Sequence, residues 1–142
     1  MGVQWEQVPQ HVYDDLVSTL LSREHPNAER IDGSGGDGGR DVQVREPGRL
    51  DIFELKSFTG RVSARSPSRR RQVEKSLARA ALHNPDSWSL LVPIDHNPDE
   101  LAWFDRLRAK YSFPLFWKGK TWAGWPHGLL PGARPLLLAQ WQ

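Results

Sequence analysis

The sequence contains no cysteine, which excludes a disulfide framework, a thiolate metal site and thiol chemistry. It also has no apolar run of the length that a membrane-spanning helix needs, and its N-terminus lacks the basic-then-apolar pattern of a signal peptide. These absences fit a protein of the reducing cytoplasm that does not enter a membrane. We therefore expect a cytoplasmic location.

Several catalytic signatures are missing as well. The five histidines show no HExxH or other metal-ligand spacing, and no G-x-S-x-G nucleophile elbow is present. A glycine-rich stretch covers residues 33–39, but no Gly-Lys-Ser/Thr follows it, so a nucleotide-binding phosphate loop is disfavoured. The formal net charge is only +2, so the distribution of charge says more about nucleic acid than its total does.

At 142 residues the chain is long enough to bury the core of one domain. No internal repeat and no low-complexity linker divides it, so we expect a single domain over residues 1–142. Residues 136–142 are unusually apolar for a terminus. They leave three interpretations open: docking on the core, a dimer contact, or continuation of this chain as the N-terminal part of a longer protein.

Two stretches of alternating apolar and polar residues predict a β-hairpin. Between them, Pro47-Gly48 fits the two central positions of a type II turn. Folding the chain about this turn places Val42 opposite Phe53, and residues that are directly opposite share a face. One face of the hairpin is then expected to be the core side, and it carries Val42, Val44, Phe53 and Leu55.

The other face of the predicted hairpin brings charged side chains together. Asp41 falls opposite Glu54, and Lys56 shares their face because it lies two residues after Glu54. Crowded carboxylates repel unless a cation lies between them, and Mg²⁺ is commonly held by one or two carboxylates together with waters and a phosphate. A metal, carboxylates and a lysine can together hydrolyse a phosphodiester. The alternative is a solvated hairpin with ordinary surface charges.

Helical spacing of apolar residues predicts three helices, and short apolar or alternating runs predict five strands. The order is αβββαβαβ, which indicates a mixed β-sheet flanked by helices, of the α/β class. Besides the two hairpin strands, the sequence predicts helices over about residues 9–24, 66–81 and 97–111, and strands over 28–31, 88–94 and 114–117.

Asp41, twelve intervening residues and then Glu54-Leu55-Lys56 resemble the PD-(D/E)XK nucleases. The run GGDGGRD before the first hairpin strand and ELK in the second resemble the Mrr-type restriction-endonuclease branch of that family. The resemblance covers about residues 10–110 and departs from the family pattern in one respect, since no proline precedes Asp41. It implies a restriction-endonuclease-like fold.

The resemblance also implies an activity, namely that of a Mg²⁺-dependent DNA endonuclease in restriction or defence against foreign DNA, with Mn²⁺ able to substitute. Asp41 and Glu54 would hold the metal together with the backbone carbonyl of Leu55, and Lys56 would orient the attacking water. In this family an acid on the first helix helps to complete the metal site. The matching position here is Asp14, for which a solvated helix surface is the alternative.

The glycine-rich stretch before the hairpin is interpreted as a DNA-contacting loop, because glycines allow positive φ and a close approach of the DNA backbone. Asp37 within it is the rival of Asp41 as a metal ligand. Asp41 is preferred because it begins a strand and pairs with Glu54, and Asp37 is interpreted as a turn residue. The expected contacts with DNA in this stretch are Gly36, Gly38, Gly39 and Arg40.

The second predicted helix carries Arg71, Lys75 and Arg79 at intervals of four residues, away from its apolar stripe. Such a row would follow a phosphate backbone, although a solvated helix face is the usual alternative. Gln72 matches a position where related nucleases often have glutamine near the active site. The expected nucleic-acid contacts on this helix are Arg69, Arg71, Gln72, Lys75 and Arg79.

Two other functions stay open on the sequence. One is a non-catalytic DNA-binding or targeting module of a larger defence complex, and the other is an RNA nuclease that uses the same site. DNA is the expected partner, with a homodimer or a larger defence complex as the assembly. Tryptophans 122, 125 and 141 would either stack on bases or, more commonly, pack inside the protein.

Overall fold

The computed structural model describes residues 10–31, 41–56, 62 and 65–119. Within these residues no helix is both long and apolar enough to cross a membrane. The elements follow one another as α1 (Gln10–Glu24), β1 (Ala28–Arg30), β2 (Val42–Glu46), β3 (Arg49–Leu55), α2 (Pro67–Ala81), β4 (Ser87–Leu91), α3 (Pro98–Arg108) and β5 (Leu115–Lys118).

The five strands form one mixed sheet, in the spatial order β1-β2-β3-β4-β5. The first three strands pair in antiparallel fashion, whereas β3, β4 and β5 run parallel to one another. The central strand β3 therefore has an antiparallel neighbour on one side and a parallel neighbour on the other. The expected α/β class, with a mixed sheet and helices packed against it, is confirmed.

The predicted hairpin is confirmed in its register. Val42 lies opposite Phe53, and Glu46 lies opposite Arg49, so Pro47-Gly48 is the two-residue connection between β2 and β3. Gly48 has a φ of +74°, the positive value that the third position of a type II turn requires. A glycine takes this angle without a steric penalty, and the turn therefore fixes which residues of the two strands meet.

Helix α1 covers one face of the sheet. Its buried residues recur at helical spacing, and they pack against the four apolar hairpin residues that were expected to form the core side. The removal of this apolar surface from water stabilises the fold by roughly 25 cal/mol per Å². The cluster consists of Val12, Tyr13, Leu16, Val17, Leu21, Val42, Val44, Phe53, Leu55 and Leu91.

The opposite face of the sheet is buried as well, beneath α2 and α3. Ile52 lies opposite Trp88 and Glu54 lies opposite Leu90, so all four side chains share this face. The expectation of half-buried strands with a single core face is therefore wrong for β3, because two helices cover its second face. The helical partners in this cluster are Val73, Leu77 and Ala80 of α2 and Trp103, Phe104 and Leu107 of α3.

The predicted helices and the remaining three strands are also confirmed, with shifts at their ends. The predicted strand 88–94 is β4, which is buried along its whole length but ends at Leu91. The third helix ends at Arg108, so Tyr111 lies beyond it. Ser66 occupies the N-cap of α2 without a capping bond from its side chain, whereas Asn97 caps α3 through a complete capping box.

Candidate active site

Asp41 and Lys56 extend the β-ladder at the same end of β3. The N–H of Asp41 donates to the carbonyl of Phe53 at 3.3 Å, and the carbonyl of Asp41 accepts from the N–H of Ile31 at 2.8 Å. The N–H of Lys56 donates to the carbonyl of Leu91 on β4 at 2.9 Å. The backbones of both residues are thus fixed by the sheet, at the C-terminal end of its central strand.

The carboxylate of Asp41 is fixed by a second bond. Its Oδ2 accepts from the backbone N–H of Leu55 at 2.8 Å, across the pair β2–β3. This bond turns the half-buried carboxylate toward the strand that carries Glu54. It also places the carboxylate beside Leu55, the residue whose carbonyl is the expected third ligand.

Glu54 is only 3% exposed. Its Oε2 lies 3.2 Å from Nζ of Lys56, whereas its Oε1 is buried and accepts no hydrogen bond from the residues that the structure describes. Burial raises the pKa of Glu54 to about 9, and the neighbouring Asp41 carboxylate raises it further while Lys56 opposes the rise. In the absence of a cation this carboxyl therefore carries a proton at neutral pH.

Lys56 lies between this buried acid and solvent. Its side chain is 21% exposed, and its ammonium contacts Glu54. The expectation that Lys56 shares a face with Glu54 is confirmed by this contact. An ammonium in this place is able to orient a water or to stabilise negative charge that develops beside the two carboxylates.

The donor set suits a hard divalent cation such as Mg²⁺. Two carboxyl groups lie beside each other, and one buried oxygen of Glu54 has no donor among the described residues, which a cation would satisfy. Among the described residues no group of three or more His, Cys, Asp or Glu side chains could hold a metal ion. The protein would therefore supply Asp41 and Glu54, with waters, a phosphate and the carbonyl of Leu55 as the further ligands.

A cavity of about 520 Å³ lies beside Asp41, between α1 and the strands. Asp14 lines it, so this predicted acid faces the same space as Asp41 without belonging to a three-acid group. A part for Asp14 in completing the metal site stays a prediction. The cavity is lined by Asp14, Ser18, Arg30, Ile31, Asp41, Val42 and Leu55.

Ser18 is a cavity residue that the sequence reasoning did not single out. It lies one helical turn after Asp14, and its Oγ is buried without a hydrogen-bond partner among the described residues. The neighbouring Thr19 instead donates to the carbonyl of Asp15 at 2.8 Å, which is the usual bond of a hydroxyl within a helix. The i, i+4 spacing from Asp14 is the signal that would have pointed to Ser18.

Three exposed cations, Arg71, Lys75 and Arg79, lie on the outer side of α2 and are called here the α2 cation row. None of them forms an ion pair with any residue that the structure describes. Glu74, the acid within this segment, accepts a hydrogen bond from Nε1 of Trp103 at 3.0 Å and so faces α3. Gln72 is exposed beside the row, whereas Arg69 is half-buried.

The remaining candidate residues lie outside the part of the chain that the structure describes. They are the expected loop contacts Gly36, Gly38, Gly39 and Arg40, the alternative ligand Asp37, and the tryptophans 122, 125 and 141.

No model of a known protein family matches this sequence, and no curated protein matches it either. Function is therefore inferred from the geometry and chemistry of the site, together with the sequence motifs that led to it.

Proposed function

We propose that this protein is a Mg²⁺-dependent nuclease that hydrolyses phosphodiester bonds in DNA, in restriction or defence against foreign DNA. The observation that carries the proposal is the buried carboxyl of Glu54 beside Asp41: its pKa is raised to about 9 by burial and by Asp41, and its Oε1 accepts no hydrogen bond from a described residue. Leaving a buried acceptor unsatisfied costs about 1–3 kcal/mol, a cost that a bound ligand would remove. Two crowded carboxylates make that ligand a cation.

Asp41 and Glu54 would hold the ion, with the carbonyl of Leu55 beside them, and Mn²⁺ is expected to substitute. When bound, a divalent cation neutralises charge on a phosphate oxygen and lowers the pKa of a coordinated water. The bond from Leu55 N–H keeps the Asp41 carboxylate in place before substrate arrives. Preorganised groups of this kind need little rearrangement during the reaction.

Lys56 is proposed to act on the reacting groups directly. Its ammonium lies 3.2 Å from Oε2 of Glu54, so it is already oriented toward the site. A fixed positive charge there would orient the attacking water and stabilise the charge that develops on the phosphate oxygens. Asp14, on the wall of the adjoining cavity, would contribute through a water rather than by direct contact.

The α2 cation row is proposed to bind the DNA backbone. Helix α2 packs on the sheet face that also carries Glu54, and its row of cations points away from the core. From Arg71 to Arg79 the row extends about 12 Å at 1.5 Å per residue, enough to contact successive phosphates. On sequence grounds the proposed contacts also include Arg69, Gln72, the glycines of residues 36–39 and Arg40.

The restriction-endonuclease-like fold belongs to the same proposal. The support for it is a mixed five-stranded sheet whose central strand carries the Glu54-Leu55-Lys56 motif and whose neighbouring hairpin strand follows Asp41. The role in restriction or defence has its support in the sequence resemblance alone.

The decisive experiment is a nicking assay on supercoiled plasmid with Mg²⁺, with Mn²⁺ and with EDTA. The wild type should cut only with metal, and Asp41→Asn should not cut. Asp51→Asn is the matched control, because Asp51 is an acid of the same hairpin at the opposite end of β3. Equal cutting by Asp41→Asn and the wild type would contradict the assignment. Labelled RNA under the same conditions tests the RNA-nuclease alternative.

A second candidate function, a non-catalytic DNA-binding module, is favoured by the unneutralised α2 cation row. Replacing Lys75 and Arg79 together should weaken binding to all sequences alike. It should also flatten the plot of log affinity against log salt by about two units, roughly one for each lost phosphate contact. If the protein binds DNA with this salt dependence but does not cleave it in the presence of Mg²⁺ or Mn²⁺, it is a non-catalytic DNA-binding module. An unchanged salt slope would indicate that the row is a solvated helix face that does not bind phosphates.

A further inference from the structure

Val62 is held through its main chain by side chains from two different helices. It lies six residues after Lys56, in the connection between β3 and α2. Its N–H donates to Oε2 of Glu100 on α3 at 2.6 Å, and its carbonyl accepts from Nε of Arg70 on α2 at 2.9 Å. Its own side chain is fully buried. We call this arrangement the Val62 clamp.

The two side chains that form the clamp are themselves fixed. Glu100 is fully buried, and its Oε1 accepts from the N–H of Asn97 at 2.8 Å. Arg70 donates to Oδ2 of Asp99 at 2.9 Å, and its guanidinium lies 5.0 Å from the centre of the Trp103 ring. A carboxylate with a donor on each oxygen and a guanidinium with three contacts have little freedom to move.

We propose that Glu100 and Arg70 are positioning residues for Lys56, and that they act by clamping Val62. The inference rests on the proposed function, in which Lys56 contacts the reacting groups. Six residues span at most about 20 Å, so a fixed point at Val62 restricts the chain that leaves the site at Lys56.

The clamp also relates the proposed chemistry to the proposed DNA contacts. Arg70 immediately precedes Arg71, the first member of the α2 cation row, so the side chain that holds Val62 belongs to the helix that would hold phosphates. The proposed clamp would thereby set the separation between Lys56 and this helix. Misplacement of a catalytic group by about 1 Å can cost a hundredfold in rate, so such a fixed separation matters for cleavage more than for affinity.

A second arginine provides a matched control, because it makes the same kinds of contact away from the site. Nε of Arg108 donates to the carbonyl of Leu115 at 3.1 Å, and its Nη1 donates to Asp105 at 2.6 Å. Its guanidinium lies 4.9 Å from the centre of the Phe104 ring. These contacts lie at the start of β5, which is the end of the sheet opposite to Lys56.

The experiment compares Arg70→Gln with Arg108→Gln, which remove the same charge and the same three kinds of contact. Three quantities are measured: the urea midpoint, the single-turnover cleavage rate at saturating DNA and Mg²⁺, and the rate at which an acylating reagent labels Lys56 relative to the exposed Lys110. Both variants should lower the urea midpoint by similar amounts. Only Arg70→Gln should slow cleavage, by about tenfold or more, and only Arg70→Gln should raise the relative labelling of Lys56.

Arg70→Lys keeps the charge and one donor, so it should recover part of the cleavage rate. If Arg70→Gln and Arg108→Gln slow cleavage equally, the clamp serves stability alone and the proposal fails. The labelling measurement needs neither DNA nor metal. If the wild type does not cut DNA, the proposed nuclease function fails, but increased labelling of Lys56 in Arg70→Gln would still support the clamp. Unchanged labelling would overturn the clamp itself.

Discussion

Glu54 and Glu100 are both buried, at 3% and 0% exposure, but their oxygens meet different surroundings. Each oxygen of Glu100 accepts a backbone N–H, one from Asn97 and one from Val62. Glu54 has the ammonium of Lys56 on one oxygen and, within the part of the chain that the structure describes, no donor on the other. The chain itself therefore completes the bonding of Glu100, whereas one oxygen of Glu54 remains an acceptor that no described residue satisfies.

The electrostatic surroundings of the two glutamates differ in the same sense. Glu100 lies in the first turn of α3, where the positive end of the helix dipole favours a carboxylate. Glu54 lies in the middle of a sheet beside the carboxylate of Asp41, and burial raises its pKa to about 9. A buried acid that serves the fold is placed where charge is stabilised, while the acid of the candidate site is placed where charge is costly.

The largest effect is expected from Glu54→Gln. Glutamine resembles the protonated acid, so the metal-free variant should be at least as stable as the wild type at pH 8. It lacks the negative charge that would hold the cation, so cleavage should fall by about a hundredfold or more, the scale of losing one charge-stabilising group. Single-turnover cleavage and thermal melts in EDTA check the two halves of this prediction. Cleavage at the wild-type rate would contradict the assignment of Glu54 as a metal ligand.

The next effect concerns pH. The pKa of Glu54 in the folded protein, about 9, lies above its ordinary value of 4.5, so the folded state binds the proton more tightly than the unfolded state does. The stability that this provides is complete below about pH 4.5 and is lost as the pH rises through about 9. The slope of this loss is at most about 1.4 kcal/mol per pH unit for one group.

Urea unfolding of the metal-free protein between pH 5 and pH 9 measures this slope, and Glu54→Gln is the control. The variant should lose less stability across the range, and Mg²⁺ should restore stability to the wild type at the alkaline end. Equal slopes in the wild type and the variant would show that Glu54 does not change its affinity for protons on folding.

Glu100→Ala should destabilise the protein through two unsatisfied amides. The N–H groups of Val62 and Asn97 would both lose their acceptor, and a buried donor left without a partner costs about 1–3 kcal/mol. We expect a loss of about 2–4 kcal/mol in the free energy of unfolding, measured by urea denaturation at pH 7. A loss close to zero would mean that water replaces the carboxylate, which the full burial of Glu100 argues against.

The smallest effect is expected from Asn97→Ala. Its Oδ1 accepts from the N–H of Glu100 at 2.8 Å, so the substitution removes one half of the capping box and leaves the bond from Val62 to Glu100. The expected loss is about 1 kcal/mol, which is typical of an N-cap. If Asn97→Ala costs as much as Glu100→Ala, then the orientation of Glu100 depends on the cap and the two effects are not separable.

Much of the fold follows from local patterns in the sequence. The stripe that includes Tyr13 and Leu21 predicts α1 and the face that it buries, because helical spacing does not depend on distant residues. The turn at Pro47-Gly48 predicts the pairing of Val42 with Phe53, since the length of a hairpin connection fixes its register. The contact between Lys56 and Glu54 follows from the same period-2 geometry.

The burial of the second sheet face could not be predicted in this way. Gln43 and Glu54 alternate with apolar residues along their strands, a pattern that predicts exposure to solvent, yet they are only 4% and 3% exposed. Both lie on the sheet face against which α2 and α3 pack, and this packing is a tertiary event that leaves no periodic signal in the hairpin itself. The same holds for Glu100 and Val62, which are 38 residues apart and belong to different elements. The local sequence predicts only that Glu100 is an acidic residue in the first turn of a helix.

The mixed pairing of β3 has a consequence for the order in which the site assembles. Val42 and Phe53 are 11 residues apart along the chain, whereas Glu54 and its parallel neighbour Leu90 are 36 residues apart. Short loops close at a smaller entropic cost than long ones, and local pairs therefore form earlier in folding. We expect Asp41 and Glu54 to meet while both are still hydrated. The unfavourable interaction between the two carboxylates then develops late in folding, when β4, α2 and α3 pack around Glu54 and exclude water from it.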